Sequence, residues 1–376
     1  MLSARPVGPP SVFPLAGRSA MAHASMTRPE RTRVVVGVDT HKDIHVARAK
    51  DSLGRLLGER TVPASIRGSR ELLAWARGHG EVLAFGVEGT GSYGAGLARY
   101  LRGEGCRVVE VIRPNRQARR RNGRSDPADA DAAASAVLSG EASGTPKSGE
   151  ASVEMIRSLR VVRSTAMKAR TQAINAMHAL VVTAPEELRE AIRELSAPRL
   201  VRTCASFRPP ALTDPSSAMK AALRTLARRH RALTEEISDL DRELDQLTLE
   251  AGPRLHAIYG AGTDTVGALL VAAGDNPERL RSESSFSMLC GTSPLEASSG
   301  KTTRHRLNRG GDRKANQGLW RIVMLRLRHG HPPTVDYVAR RTAEGKSKGE
   351  IIRCLKRYVA REVYAALTDD CSGRLS

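Results

Sequence analysis

From Thr32 onward the chain alternates short apolar runs with polar turns: "RVVVGVD" (33–39), "IHVARAKD" (44–51) and, past the turn at "SLG", "RLLGERTVP" (55–63). Runs of this length, rich in Val and bounded by Gly and Asp, read as strands, and three in close succession read as a meander. A helical stretch, "SRELLAWARGHG", follows, then a strand "VLAFGVE" (82–88), a helix "GAGLARYLRGEG", a strand "RVVEVIRP" (107–114) and a helix from about Asp126. The order βββαβαβ, closed by that helix, predicts a mixed sheet covered by helices: an α/β domain over residues 32–145. The Gly/Ser/Glu/Pro stretch "SGEASGTPKSGEAS" after it has the composition of a linker or exposed loop.

Beyond the linker the period changes to that of helices. Leu223, Leu226, His230, Leu233, Ile237, Leu240, Leu244 and Leu247 follow at alternating steps of three and four, with His230 the one polar interruption. Such a stripe predicts a coiled coil within a helical region over 150–250, pairing either with the upstream helix from about Met155 to Val181 or with the same helix of another chain. His230 reads as a register-setting residue. After Gly252-Pro253, "LHAIYGAGTDTVGALLVAAGD" sets a Gly-x-Gly turn between two helical patterns and opens a second, mainly helical domain over 253–368. Residues 1–31, rich in Pro, Ala, Ser and Gly, read as a disordered tail without the apolar core of a secretion signal, and Met26 would serve equally well as a start.

Composition narrows the partners. Sixty Lys and Arg against forty Asp and Glu give a formal charge of +20, which favours nucleic acid through release of condensed counterions. Five widely spaced cysteines without a CxxC pair suggest neither a zinc site nor a disulfide framework and fit a reducing cytoplasm. No apolar run reaches the roughly 18 residues a membrane span needs.

Two groups of residues carry the chemistry. Asp39 closes the first strand and Glu88 a later one, so both strand ends can converge. Asp126 and Asp129, at i and i+3 behind a candidate N-cap Ser125, share one face of a helix, whereas Asp131 points elsewhere. Four carboxylates without lysines in their own motifs repel unless cations lie between them. Mg²⁺, with Mn²⁺ as its substitute, suits an all-oxygen set, and two such ions suit phosphodiester chemistry. The second group is "EASSGKTTRHRLNRGGDRKANQ" (296–317). Lys301, Arg304, His305, Arg306, Arg309 and Arg313 are candidate phosphate contacts, continued by Lys314, Arg321, Arg326 and Arg328 on an amphipathic helix. Arg119, Arg120, Arg121 and Arg124, with Arg113 and Arg116, form a second basic segment just before the aspartate pair. Trp320 and Tyr259 read as core residues. By itself "SSGK" is as compatible with a polar turn as with a nucleophile.

In "GVDTHKD", "VEGTGSYG" and "SDPADADAAA" the chain resembles the DEDD-type transposases of bacterial insertion-sequence family 110, relatives of the Piv DNA invertases, and the element order resembles the ribonuclease H-like fold of Holliday-junction resolvases. "YGAGTDTVGALLVAAGD" and "CGTSPLEASSGKTTRHRLNRGGDRKAN" are similar to that family's carboxy-terminal domain, so the resemblance spans about residues 32–365. It implies a DNA strand-transfer enzyme with Asp39, Glu88, Asp126 and Asp129 as metal ligands. It further implies that Ser299, the serine directly before glycine, links covalently to DNA, with Ser298 as the alternative. Nothing in the local sequence singles out the group that takes the serine proton; His305 and a metal-bound hydroxide are the two candidates. A dimer or tetramer held by the coiled coil and a non-coding guide RNA are also implied. Two other readings remain: a junction nuclease that uses metal-activated water without a serine, and a non-catalytic nucleic-acid-binding protein.

Overall fold

The computed structural model describes residues 32–111, 125–149, 151–209, 211–276, 279–302 and 304–373. The basic segment around Arg113, Arg116, Arg119, Arg120, Arg121 and Arg124, and the tail before Thr32, lie outside the described residues.

The amino-terminal part is a mixed sheet. Strands β1 (Arg33–Thr40), β2 (Ile44–Asp51) and β3 (Leu56–Pro63) form the antiparallel meander, while β4 (Glu81–Glu88) and β5 (Val108–Val111) add in parallel beyond β1, giving the order β3-β2-β1-β4-β5. This is the fold expected from the element order. Helices α1 (Ile66–His79) and α2 (Ala95–Gly103) cover one face: Val34, Val36, Val38, Phe85 and Val87 are buried there with Leu72, Leu73 and Leu97. Ser65 starts α1 by accepting a hydrogen bond from the Gly68 amide.

The opposite face carries α3 (Asp126–Leu138), and two glycines decide how closely it packs. Gly37 of β1 and Gly86 of β4 are register partners. A Cβ at Gly37 would run into the backbone of Ala130 and Ala134, and one at Gly86 would come within 2.7 Å of Val137 and 2.9 Å of the Ala133 carbonyl. The alanines of "DADAAASAV" are therefore the price of bringing a helix backbone onto a strand backbone. Ala130, Ala133 and Ala134 are fully buried there.

The middle is a helical hairpin within one chain. Helix α4 (Ser152–Val182) runs antiparallel to α7 (Pro215–Ala251). Met177 and Val181 pack with Leu223 and Ala227 at one end, while Val153 and Ile156 pack with Leu244 and Ala251 at the other. The leucine seam is thus met by the upstream helix of the same chain. Two short helices, α5 (Glu186–Ile192) and α6 (Ala197–Ala205), close the far end, and an Asp214/Ser217 capping box starts α7.

Helices α8 (Pro253–His256), α9 (Thr263–Ala273), α10 (Glu283–Leu289), α11 (Arg313–Arg328), α12 (Pro332–Ala343) and α13 (Lys348–Gly373) build the carboxy-terminal part, with a small hairpin of β6 (Leu295–Glu296) and β7 (His305–Arg306). Its core includes Leu269, Phe286, Leu319, Ile322, Val359 and Val363. No helix among the described residues is long and apolar enough to cross a membrane.

The expected linker is instead a bonded strap. Gly144 bridges to Glu110 of β5, Asn276 bonds the Pro146 carbonyl and the Ser148 amide, and Val153 N–H donates to Asp275 at 3.0 Å. Arg279 donates to the Thr145 carbonyl and pairs with Glu110 at 3.0 Å, with side chains only 9% and 15% exposed. Small polar residues gave this stretch the composition of a loop, and their backbone groups are what the neighbouring part of the chain bonds.

Candidate active site

Asp39 and Glu88 leave the sheet on the face that α3 covers, two residues beyond the glycine pair on each strand. Helix α3 lies with its first turn over these strand ends, because Ala130 and Ala134 sit on Gly37 and the helix start is one turn earlier. Asp126 and Asp129 occupy that first turn. The spacing of small residues along strand and helix therefore brings Asp39 and Asp126 together, while Glu88 and Asp129 lie outside the group of ligand atoms that meet within 4.8 Å.

Asp39, His41 and Asp126 each place a ligand atom within 4.8 Å of the others. His41 Nε2 stands 3.2 Å from Asp39 Oδ2 and 3.3 Å from Asp126 Oδ2, between two carboxylates. Asp39 is the enclosed member at 8% exposed. Burial, together with the charges of Asp129 and Asp126, raises its carboxyl above the ordinary carboxylate range against the pull of His41. The Thr40 hydroxyl donates to the Glu88 carbonyl at 2.8 Å, tying the two strand ends, and the Thr90 hydroxyl donates to Glu110 Oε1 at 2.7 Å, anchoring the turn that follows Glu88. This donor set fits a divalent cation: two carboxylates, one of them already short of solvent, and an imidazole nitrogen converge on one point.

Sequence reasoning passed over His41. Its signal was available, since His41 follows directly on the strand end that Asp39 and Thr40 close. Asp131 is structural: Lys50 Nζ contacts it at 2.8 Å.

Ser299 stands on a hairpin that extends from β6 and β7. Leu295 pairs with Arg306 and Glu296 with His305; Ala297 N–H donates to the Arg304 carbonyl, and Ser299 and Thr302 exchange backbone bonds around Gly300-Lys301. Gly300 has φ of 57°, a conformation that favours glycine in two-residue hairpin turns. Strand alternation sets Ser299, Arg304 and Arg306 on one face and His305 on the other, alongside Ser298. By that alternation His305 lies on the hairpin face opposite Ser299. The Ser298 hydroxyl accepts from the Arg304 amide at 3.2 Å, whereas among the described residues the Ser299 hydroxyl has no hydrogen bond. Lys301, Arg304, His305, Arg306, Arg309 and Arg313 are all exposed.

Four expectations in and beside the following helix change. Arg326 is buried, forks onto Glu362 and bonds the Tyr259 carbonyl, and Arg321 pairs with Asp264, so neither is a free phosphate contact. Trp320 and Tyr259, read as core, are 43% and 50% exposed, and Tyr259 stacks on His331. Periodicity marked the apolar stripe of α11 but not where helices α8 and α12 end beside it.

A mixed sheet of this order, with acids at adjacent strand ends under a helix, fits a ribonuclease H-like domain. Residues 36–184 match a DEDD transposase model of IS110 type, and residues 252–339 match the model for the transposase IS116/IS110/IS902 family. The chain belongs to the IS110 family of insertion-sequence transposases. No curated protein matches it.

Proposed function

We propose that this transposase cleaves and transfers DNA strands of its insertion sequence using Mg²⁺ or Mn²⁺ held by Asp39, Glu88, Asp126 and Asp129, with Ser299 as the covalent nucleophile. The observation that carries the reading is the convergence of Asp39, His41 and Asp126 within 4.8 Å in a chain of this family. Bound divalent ions would neutralise the carboxylates and supply electrostatic stabilisation to a phosphorane-like transition state. His41 would orient Asp39 and Asp126. Ser299 Oγ would lose its proton, form a bond to phosphorus and displace a DNA oxygen, which leaves as a free hydroxyl end. Attack by the hydroxyl of an incoming strand would break the serine–phosphorus bond and restore the serine. Arg304 and Arg306, on the face that Ser299 occupies, would hold the flanking phosphates.

In this reading residues 32–145 form the metal-binding domain, 150–250 the helical middle and 253–368 the serine-bearing domain. Several DNA strands must be held together, which favours a dimer or tetramer. Because the leucine seam faces α4 of its own chain, assembly would use other surface, such as the exposed Met155 and Val162 of α4. A guide RNA, which the family resemblance implies, would share the basic surface.

The test is a denaturing gel of the protein with labelled element-end DNA and Mg²⁺. A protein-linked DNA band should form, and Ser299→Ala should abolish it while Ser298→Ala retains it. Cleavage that proceeds with Ser299→Ala and leaves no linked band would instead establish a hydrolytic nuclease.

A further inference from the structure

Beside the root of the serine hairpin lies an open cleft of about 1020 Å³, walled by α12 and α13 and reaching residues 291–294 and 305–309. Nine of its lining residues are Lys or Arg and one is a glutamate, Glu350. Glu283 pairs with Arg357 and Arg361 from behind, and Glu344 takes Arg341. Among the described residues no carboxylate lies within salt-bridge distance of Arg306, Arg309, Arg340 or Arg353, all four are exposed, and Glu350 acts on Arg353 only at longer range. A concave surface with this surplus focuses positive potential and calls for a polyanion.

Two tyrosines set this cleft apart from a merely charged face. Tyr337 and Tyr358 meet edge to face at 5.3 Å, Arg340 lies over the Tyr337 ring, and Arg361 lies over the Tyr358 ring at 5.5 Å. Tyr358 is 45% exposed although it sits in a wall of the cleft. An arginine-backed, solvent-facing ring offers a platform to an unstacked base, which a duplex does not present. The cleft is also continuous with the hairpin. Leu295, partner of Arg306, is four strand residues from Ser299, about 14 Å at the usual rise. Most of the cleft's charge lies at or after Arg340, beyond the residue 339 at which the second family match ends.

We propose that this cleft binds a single-stranded segment of nucleic acid, its phosphodiesters on Arg306, Arg309, Arg340 and Arg353 and one base stacked on Tyr358, so that the strand leads to the serine hairpin. The inference rests on the chain acting on nucleic acid and is independent of the serine chemistry. The experiment is fluorescence anisotropy of a short, labelled, mixed-sequence oligonucleotide with the full chain over a series of salt concentrations. The probes are single-stranded DNA, the same sequence as RNA, and the blunt DNA duplex. Arg340→Ala combined with Arg353→Ala should weaken single-strand binding and lower the slope of log affinity against log salt by about 1.4, two phosphate contacts at about 0.7 each. Tyr358→Ala should weaken single-strand binding about tenfold and leave duplex binding unchanged, while Tyr358→Phe binds as the parent does. The single strand with the larger Tyr358 effect identifies the occupant as DNA or RNA. A double variant with the parental affinity and slope would overturn the proposal, as would a Tyr358→Ala loss equal for duplex and single strand with Tyr358→Phe equally weak. Either result could stand beside an intact serine-linked band, so failure of the cleft is separable from failure of the proposed chemistry.

Discussion

Replacing Asp39 by Asn tests the metal centre through two opposed effects. Without metal, the carboxylate is a burden: it is nearly enclosed, and a ligand atom of Asp126 lies within 4.8 Å of it. Two unit charges at that distance repel by about 3.5 kcal/mol at an effective dielectric of 20, and by about half of that where solvent screens the 49% exposed Asp126 side chain. His41 between them returns part of this, leaving a relief of about 1 kcal/mol on removal of the charge. The sign follows from the raised pKa. The folded chain keeps the Asp39 proton to higher pH than the unfolded chain, so metal-free stability falls as pH rises from the ordinary value of 3.8 through the raised one. Metal-free Asp39→Asn should therefore melt about 1–2 °C higher than the parent near pH 7. With metal the order reverses. A divalent ion at a hundred times its dissociation constant stabilises the parent by about 2.7 kcal/mol, and the variant should lose most of that gain together with DNA cleavage. Scanning fluorimetry with and without Mg²⁺ or Mn²⁺, paired with a strand-cleavage assay, reads both arms. A variant that melts below the parent without metal, or that keeps the full metal-dependent rise, would refute the assignment.

Other outcomes follow from packing and charge. Gly37→Ala puts a methyl group into the backbone of α3 and should cost about 3 kcal/mol in urea unfolding while weakening metal binding, since the helix that carries Asp126 must lift; an unchanged midpoint would contradict the close approach. Arg279→Ala takes the ion-pair partner from the nearly buried Glu110, leaving it the Thr90 hydroxyl, and should cost about 2–4 kcal/mol and loosen the 140–149 strap, measurable as faster amide exchange at Glu110 and Ser148. Asp264, partly buried, is held below the ordinary carboxylate range because Arg160, Arg321 and Arg163 outweigh that burial. Its stabilisation is present above the unfolded value and lost as pH falls through the lowered folded one, so Asp264→Asn should cost about 1.5–3 kcal/mol at pH 7 and nothing in strong acid. An equal cost at both ends of the pH range would rule out the charge network as the cause.

Much of the fold was legible because it is written in short-range pattern. Val runs ending in Asp39 and Glu88 announced strands and placed acids at their ends, and Pro127 after Ser125 announced α3. What pattern could not carry was the identity of the partner across space. The seam of α7 was clear from its period, but the stripe is the same whether α4 of this chain or another chain covers it. "SGEASGTPKSGEAS" lacks apolar residues, so nothing in it signalled that Arg279, Asp275 and Asn276 would bond its backbone. Arg326 and Arg353 look alike in sequence, yet one forks onto a glutamate in the interior and the other faces an open cleft.

The sequence by itself determined the class of fold, the acids, the serine-glycine turn and the excess of positive charge, because each depends on residue type and local spacing. Only the tertiary structure decided that Gly37 and Gly86 let α3 down onto the sheet, that His41 comes between Asp39 and Asp126, that His305 turns away from Ser299, and which arginines remain unpaired. Those outcomes depend on backbone approach, strand alternation and the burial of neighbours far along the chain, and these are set when the elements pack.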